Sequence, residues 1–450
     1  MDVAVVQRRT LRLLFVTQII SGVGVAIGAS VGALLAADIA GVGVSGVAQS
    51  AIVVGAALFA LPATAIVHRH GRRSSLAAGY LVAAVGSIIV VTAAARGSIP
   101  LLFVGFFLFG GAAAAGLQAR YAAVDLAPAA LRGRHLSLIV WATTLGAVVG
   151  PSLAPLAGAT LDSYGVPTLA GPFFFSAVLF GLATLLLVLL LRPDPAVVAR
   201  GTPGNLSAQP PDARRAGMRA ALRVVVSQSS ARLGVSAMAI GHVVMIGVMA
   251  MTPVHIRGAG HDAAHTLRIV GVVLSFHIAG MFAFSPVVGW LTDRLGRRPV
   301  ILAGIAVLLT ACALAGSAGH HQARLASGLM MLGLGWSATM VAGSTLVSDS
   351  FSGELRASAQ GLSDLAMGLA GASAGAISGV IVDAWGYSTL TLLAALATVP
   401  LIVLVSFSTN RVGDRASRGE PSDRYRSARM EVVRNAGDPS IVSPRELGDL

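Results

Sequence analysis

Charged side chains are scarce in this sequence. Asp, Glu, Lys and Arg make up 11% of its 450 residues, whereas soluble domains carry about 25%, so an ordinary soluble protein is excluded. Lysine is absent, and Cys312 is the only cysteine, which excludes an intrachain disulfide and a cysteine cluster for metal binding. No catalytic triad, phosphate-binding glycine loop or zinc motif is evident. We therefore expect neither an enzyme nor a resident cofactor.

Long apolar runs dominate the chain instead. Each is long enough to cross a hydrocarbon core of about 30 Å as a helix. The runs cover residues 13–36, 45–67, 74–95, 99–122, 136–158, 170–191, 233–253, 269–290, 299–318, 325–347, 359–382 and 388–408. They predict an all-α, polytopic protein with 12 transmembrane helices in a lipid bilayer. The first run has no small-residue cleavage site before it, so we expect a membrane helix and not a removed signal.

The arginines are distributed unevenly between the predicted loops. If the N-terminus is inside, 27 of the 32 arginines fall in inner segments and four in outer loops. This asymmetry follows the positive-inside rule and predicts cytoplasmic termini in a multi-pass protein of the plasma membrane. It also explains the net charge of +13 without nucleic-acid binding.

The chain divides into two related halves. A stretch rich in Pro, Ala, Arg and Ser at residues 192–232 separates bundles at residues 1–191 and 233–408, and the charged tail at 409–450 is expected to be disordered. At an offset of 225 residues, the glycines that coincide are Gly71 with Gly296, Gly110 with Gly335, Gly146 with Gly371 and Gly150 with Gly375. These coincidences predict two pseudo-symmetric six-helix bundles, the organisation of many secondary transporters with a site near the membrane midplane. We expect a monomer.

The strongest local motif is GWLTDRLGRRP, Gly289 to Pro299, between predicted spans eight and nine. Gly289 would allow a close helix contact, Gly296 a tight turn, and Asp293 a pairing with Arg294, Arg297 or Arg298. The motif resembles the G-x-x-x-D-R-x-G-R-R loop of the major facilitator superfamily (MFS), and this resemblance implies a latch on the closed inner gate. A basic loop with a turn would explain the arginines but not the glycine and aspartate at their spacing.

The first half carries an altered copy of this motif, TAIVHRHGRRS, between spans two and three. The copy keeps Arg69, Gly71 and Arg72 but has His68 in place of the aspartate. A neutral histidine cannot hold an arginine as a carboxylate does. In span five, Gly146 to Gly158 resembles the superfamily's G-x-x-x-G-P motif, which implies antiport and efflux; a packing face explains the same glycines.

Histidine and methionine occupy the middle of predicted spans seven and eight, where no Asp or Glu lies. Met238, His242, Met245 and Met249 fall within an arc of roughly 60° on one helix face, with Met251 on the other side. His277 and Met281 share a face of span eight. Met245 and His277 are each roughly 12 Å from the outer boundary. Thioether and imidazole ligands at one depth suit Cu(I), whereas Mg²⁺ or Ca²⁺ would require oxygen ligands.

The pairs MxxxM (Met245, Met249) and HxxxM (His277, Met281) resemble those of copper-importing MFS proteins. The resemblance implies that these four residues bind copper in transit, with His242 beside them in the substrate site. Related branches carry organic molecules, including riboflavin, so proton-coupled transport or drug efflux is the alternative. A third interpretation assigns the methionines to gap filling and the histidines to interhelical hydrogen bonds. The sequence thus predicts a transporter for a metal ion or a small molecule.

Overall fold

The computed structural model describes residues 3–128, 131–162, 165–200, 211–351 and 353–406. The predicted disordered tail at 409–450 lies outside these residues. Within them the chain forms helices and no strand. The α-helices are α1 (Val3–Ala40), α2 (Val42–Arg96), α3 (Ile99–Phe109), α4 (Gly111–Ala122), α5 (Arg132–Val149), α6 (Ala154–Asp162), α7 (Gly171–Leu190), α8 (Pro195–Arg200), α9 (Pro211–Ser227), α10 (Ser229–Arg257), α11 (Ala263–Phe282), α12 (Ser285–Leu295), α13 (Arg297–Gly316), α14 (Gln322–Ser350) and α15 (Gly353–Leu396).

The described helices account for the predicted spans. Eleven continuous stretches among the described residues are long and apolar enough to cross a membrane. The last of them, Ser358–Ser406, covers two predicted spans. Between these two spans the backbone bends at Gly386, where φ is +81°. The fold is therefore polytopic and all-α, as predicted. Several helices extend beyond their apolar runs, and α10 begins at Ser229 instead of residue 233.

Residues 1–402 form one compact unit, which contains the first predicted half and most of the second. A second unit begins at Val403, and its described residues, 403–406, are helical. One hydrophobic core of the first unit comes mainly from α1 to α7 and includes the aromatic contacts of Phe106 and Phe109 with Phe173. Another comes mainly from α10 to α15. Each half therefore has a core of its own.

The two ends of the spans differ in composition. We call the end that carries residues 69–73 and 294–298 the basic face and the other end the opposite face. The halves meet toward the opposite face, where Gly46 of α2 lies against Gly375 and Gly379 of α15. At the basic face, α12 packs against α13 and α14 of its own half. The contacts that join the halves therefore close the opposite face.

A second contact between the halves lies where the short 3₁₀ helix Pro151–Leu153 meets α11. Gly271 lies against the backbone of Pro151. The Ser152 and Ser275 hydroxyls are 2.8 Å apart, and Ser275 also donates to the carbonyl of Val148 at 2.8 Å. Small residues and hydroxyls allow this approach of the backbones, because no long side chain has to be accommodated.

Candidate functional site

The predicted methionine and histidine face of α10 is directed toward α14, inside the second half. The Met238 side chain lies against Gly343, and Thr339 lies against Gly241. Met251 lies on another side of α10, where its sulfur accepts a 3.5 Å hydrogen bond from the Ser45 hydroxyl of α2. The helical spacing therefore separates a side that faces the second half from a side that faces the first.

His242 is held by a tryptophan that the sequence analysis did not include. The Trp336 indole N–H donates to His242 Nδ1 at 3.0 Å. Because an indole nitrogen is only a donor, Nδ1 must accept, and a neutral ring then carries its hydrogen on Nε2. A Cβ added at Gly371 would lie 2.9 Å from that Nε2, so α15 covers this edge of the ring. His242 therefore offers no free lone pair to a cation.

His277 has the opposite arrangement. Its side chain is fully buried, and its Nδ1 lies 2.8 Å from the carbonyl oxygen of Leu329. A carbonyl only accepts, so Nδ1 carries the hydrogen and Nε2 carries a lone pair. This Nε2 has no hydrogen-bond partner among the described residues. An imidazole fixed through one nitrogen with the other free is typical of metal-binding histidines.

Close packing of the α11 and α14 backbones brings His277 and Met281 of α11 next to α14. Gly333 of α14 lies against the His277 carbonyl and the Met281 backbone nitrogen, and Gly280 of α11 lies against the Met330 carbonyl. A side chain at either glycine would separate the two helices. Glycine is thus required at this crossing because the backbones approach so closely.

The three predicted methionine ligands all belong to the core of the second half or pack against it. Met245 is a buried member of the second half's core, and Met249 and Met281 are partly buried and pack against the same core. Across the described ranges, no group of three or more His, Cys, Asp or Glu residues could hold a metal ion. Any metal site here would therefore consist of one imidazole and several thioethers, and His242 would not belong to it.

The second-half motif is arranged differently from the prediction. Arg297 Nε donates to Asp349 Oδ2 at 3.0 Å, and the Arg294 guanidinium lies 5.1 Å from the centre of the Trp290 ring. Asp293 is exposed, and within the described part of the chain it forms no ion pair. Because α13 begins at Arg297, this side chain reaches the end of α14 instead of turning back to Asp293.

The two glycines of this motif have different roles. Gly296 has φ of +91°, a conformation that favours glycine and lets α12 turn into α13. Gly289 has no atom within 4 Å of an added Cβ, apart from its own helix backbone and chain neighbours. The predicted close helix contact at Gly289 is therefore not present in this arrangement, because α12 has no helix packed on that side.

In the first half, Asp125 supplies the carboxylate that the motif lacks at position 68. Arg72 donates to both oxygens of Asp125 at 2.8 and 3.0 Å and to Gln118 Oε1 at 2.6 Å. Asp194 accepts from the backbone N–H groups of Arg72 and Arg73. The His68 side chain lies outside the described atoms, and the other predicted gating residue, Arg69, is exposed.

The repeat offset could have identified this pair in advance. Arg72 and Arg297 are 225 residues apart, and their partners Asp125 and Asp349 are 224 apart. The two ion pairs are therefore equivalent in the two halves. They differ in burial, since both side chains are 14% exposed in the first pair, whereas Asp349 is 52% exposed in the second.

This difference in burial predicts that loss of the two ion pairs will lower the stability of the protein by different amounts. Asp125→Asn should lower the free energy of unfolding by about 3 kcal/mol, because it leaves the Arg72 charge poorly compensated where water is scarce. The matched variant Asp349→Asn should cost less than about 1 kcal/mol, because that pair is exposed to solvent. Thermal unfolding of the purified variants in detergent measures both. Equal shifts in the two variants would contradict the prediction.

The glycines of span five form a packing face. Gly146 of α5 lies against the backbones of Ile19 and Val23, and Gly150 lies against Val23 and Ala26 of α1. The first half therefore uses the G-x-x-x-G spacing to bring α1 and α5 together. This contact accounts for the glycines without an antiport mechanism.

The chain is similar to known transporters over most of its length. Residues 13–267 and 260–443 match the family described as Major Facilitator Superfamily. The uncharacterised MFS-type transporter YdeG of Bacillus subtilis is 39% identical over 406 residues, which cover 90% of this chain and 93% of the relative. The riboflavin transporter RfnT of Brucella anthropi is 28% identical over 360 residues, or 78% of this chain and 84% of that one.

Solved structures show the same fold. The nucleoside transporter NupG has a TM-score of 0.69 at 14% identity, over 90% of this chain and 99% of that chain. The D-xylose-proton symporter has a TM-score of 0.63 at 18% identity, over 86% and 96% of the two chains. At these identities the likeness concerns the fold alone.

Proposed function

This chain belongs to the major facilitator superfamily, a superfamily of transporters and not of enzymes, and we propose that the substrate it transports is copper(I). The ligands are Met245, Met249, His277 and Met281. Transport proceeds by alternating access, in which the two halves rock around the site. The observation that carries the proposal is the buried His277 ring, fixed at Nδ1 and unpartnered at Nε2 among the described residues.

The chemistry of this ring favours a soft cation. Leaving a buried nitrogen without a partner costs about 1–3 kcal/mol, so the site gains free energy when Nε2 finds a ligand. Met281 is one helical turn from His277, and the methionines of α10 pack on the same core. Imidazole with thioethers suits Cu(I), and no charged ligand has to be buried without a counterion.

The orientation is part of the same proposal. The basic face is cytoplasmic under this proposal, because the positive-inside rule applied to the sequence assigns 27 of the 32 arginines to inner segments. The contacts at Gly46 and Ser152 then close the outer end of the site. Asp293, exposed in this arrangement, pairs with the arginines of its loop when the inner end closes.

Binding by the purified protein tests the substrate class. We expect the full-length protein in detergent to bind Cu(I) in competition with a chromophoric chelator, because its buried thioethers and imidazole are soft ligands. His277→Gln should lose this binding, since glutamine keeps an N–H donor for the Leu329 carbonyl but supplies no imidazole lone pair. Copper would be rejected as the substrate if the wild type bound riboflavin saturably and did not remove Cu(I) from the chelator.

A polar organic molecule is the second candidate. Arg120 of α4 is half-buried and interacts electrostatically with the exposed Asp364 of α15, so opposite charges from the two halves act on each other. Such a pair can bind a molecule with both anionic and hydrogen-bonding groups. The relation to the riboflavin transporter RfnT supports a polar organic substrate. The titration above distinguishes the two candidates.

A further inference from the structure

A short amphipathic helix lies outside the apolar spans. Helix α9 (Pro211–Ser227) belongs to the polar stretch between the two halves, and it is not among the described stretches that are apolar enough to cross a membrane. Its sequence, PDARRAGMRAALRVVVS, contains four arginines and a single acidic residue, together with several large apolar residues. The positions of these residues around the helix therefore decide what α9 can bind.

One side of α9 packs against the second half at the basic face. Ala221 is fully buried, and Val224 and Val225 pack with it on a cluster formed by the starts of α10 and α15 and the end of α14. The end of α14 also carries the ion pair with Arg297, so this cluster lies at the basic face. Arg232 of α10 donates to a carbonyl near the end of α9 at 3.0 Å. The helix is therefore fixed to the second half.

The side of α9 that faces away from this cluster is exposed. It consists of Arg219, Leu222, Arg223 and Val226, which fall within an arc of roughly 100° around the helix. We call these four residues the α9 face. Leu222 is 50% exposed and Val226 is 64% exposed, and both arginines are exposed as well. Neither arginine forms an ion pair with another described residue, so both charges are available to an external partner.

The α9 face combines two requirements that few partners meet together. A guanidinium matches the geometry of a phosphate through two parallel hydrogen bonds, and the aliphatic stem of arginine can lie along apolar surface. Leu222 and Val226, in contrast, gain free energy when they leave water. An anionic phospholipid offers phosphate at the border of the hydrocarbon core, so it satisfies both. A soluble anion would leave the two apolar side chains in water.

We propose that the α9 face binds anionic phospholipid headgroups of the leaflet at the basic face. Arg219 and Arg223 contact the phosphates, and Leu222 and Val226 lie at the border of the acyl chains. The position of α9 supports this arrangement, because only the extended residue Gln228 separates it from the membrane helix α10. The proposal does not depend on the transported substrate, so its failure would leave the copper proposal untouched, and the reverse also holds.

Quenching of a fluorophore beside the α9 face tests this proposal. Ser227→Cys, in a Cys312→Ser background, provides an exposed position for the label next to Val226. The full-length protein is reconstituted in phosphatidylcholine vesicles that contain either spin-labelled phosphatidylglycerol or spin-labelled phosphatidylcholine. We expect phosphatidylglycerol to quench the fluorophore at a lower mole fraction than phosphatidylcholine does. High salt should weaken this preference, because it screens the charges.

Variants of the α9 face separate the two contributions. Arg219→Gln and Arg223→Gln should each lower the preference for phosphatidylglycerol about fivefold, which is equivalent to about 1 kcal/mol. Leu222→Asn/Val226→Thr keeps both charges but should reduce quenching by both lipids, because the face no longer gains free energy at the border of the acyl chains. Thermal unfolding in detergent should be unchanged in all of them, since the altered side chains are exposed.

A variant matched in charge separates the α9 face from the overall charge of the basic face. Arg8→Gln/Arg9→Gln removes two exposed arginines from α1 and should keep the preference for phosphatidylglycerol. Equal quenching by the two lipids in the wild type would overturn the proposal, and so would an equal loss of preference in this control. Abolition of the preference by inorganic phosphate would also overturn it, because the arginines would then bind a soluble anion.

Discussion

Replacing His277 by glutamine is expected to reduce the accumulation of radiolabelled copper by at least about 10- to 100-fold, because removing a ligand should cost no less than removing an outer-shell partner. Glutamine can still donate to the Leu329 carbonyl, so the crossing of α11 and α14 is retained. What it removes is the lone pair of Nε2. Accumulation is measured in cells and in proteoliposomes, with the amount of protein in the membrane determined alongside.

Methionine-to-leucine variants test the same proposed site. Met245→Leu, Met249→Leu and Met281→Leu each remove a sulfur while nearly conserving side-chain volume, so their cores should remain packed. Each should lose most copper accumulation. Met251→Leu is the control, because Met251 lies on the side of α10 that contacts Ser45, and it should transport normally. If His277→Gln and all three ligand variants accumulate copper like the wild type, the proposed site is wrong.

Substituting Gly46 by leucine is expected to stop transport of any substrate. A Cβ at this position would collide with the Gly375 carbonyl oxygen and lie 2.8 Å from the Gly379 backbone nitrogen. Both neighbours belong to α15, in the other half. The halves therefore could not close at the opposite face, while the packing inside each half would be unaffected. The transporter would be held open on that face.

Accessibility to alkylation measures this trapped state. A cysteine at Ser275, which is partly buried beside the 3₁₀ helix, should react slowly in a Cys312→Ser background and faster when Gly46→Leu is added. Gly181→Leu is the control, because no atom lies within 4 Å of its added Cβ beyond its own helix backbone and chain neighbours. If Gly46→Leu transported at the wild-type rate, closure of the contact between Gly46 and α15 would not be needed for transport, and the prediction would be wrong.

The proposed role of Asp293 can be tested with the same cysteine. With the opposite face held open, the basic face should be closed, and Asp293 should then pair with the arginines of its loop. In the protein that keeps Gly46, Asp293→Asn should therefore lower the reactivity of the cysteine at Ser275, because it weakens the state in which the basic face is closed and the opposite face is open. Unchanged reactivity would reject a latch at Asp293.

The helix faces of the proposed copper ligands were predictable, because the members of each pair are close in sequence. The spacing of four between Met245 and Met249, and between His277 and Met281, puts each pair on one face of one helix, whatever surrounds it. The hydrogen bond that His242 accepts was not predictable, because its donor, Trp336, is 94 residues away. Nothing in the local pattern distinguishes a histidine that holds an indole from one that offers a lone pair.

The sequence by itself determined the membrane class, the helical spans and the two related halves, because hydropathy, span length and repeat spacing are local properties of the chain. Only the tertiary structure decided which partners the polar groups have. Arg72 pairs with Asp125 across 53 residues, and His277 is fixed by a carbonyl 52 residues away. Such choices depend on how close two backbones come. That distance is set by glycines such as Gly333 and Gly46, whose effect appears only once the helices have packed.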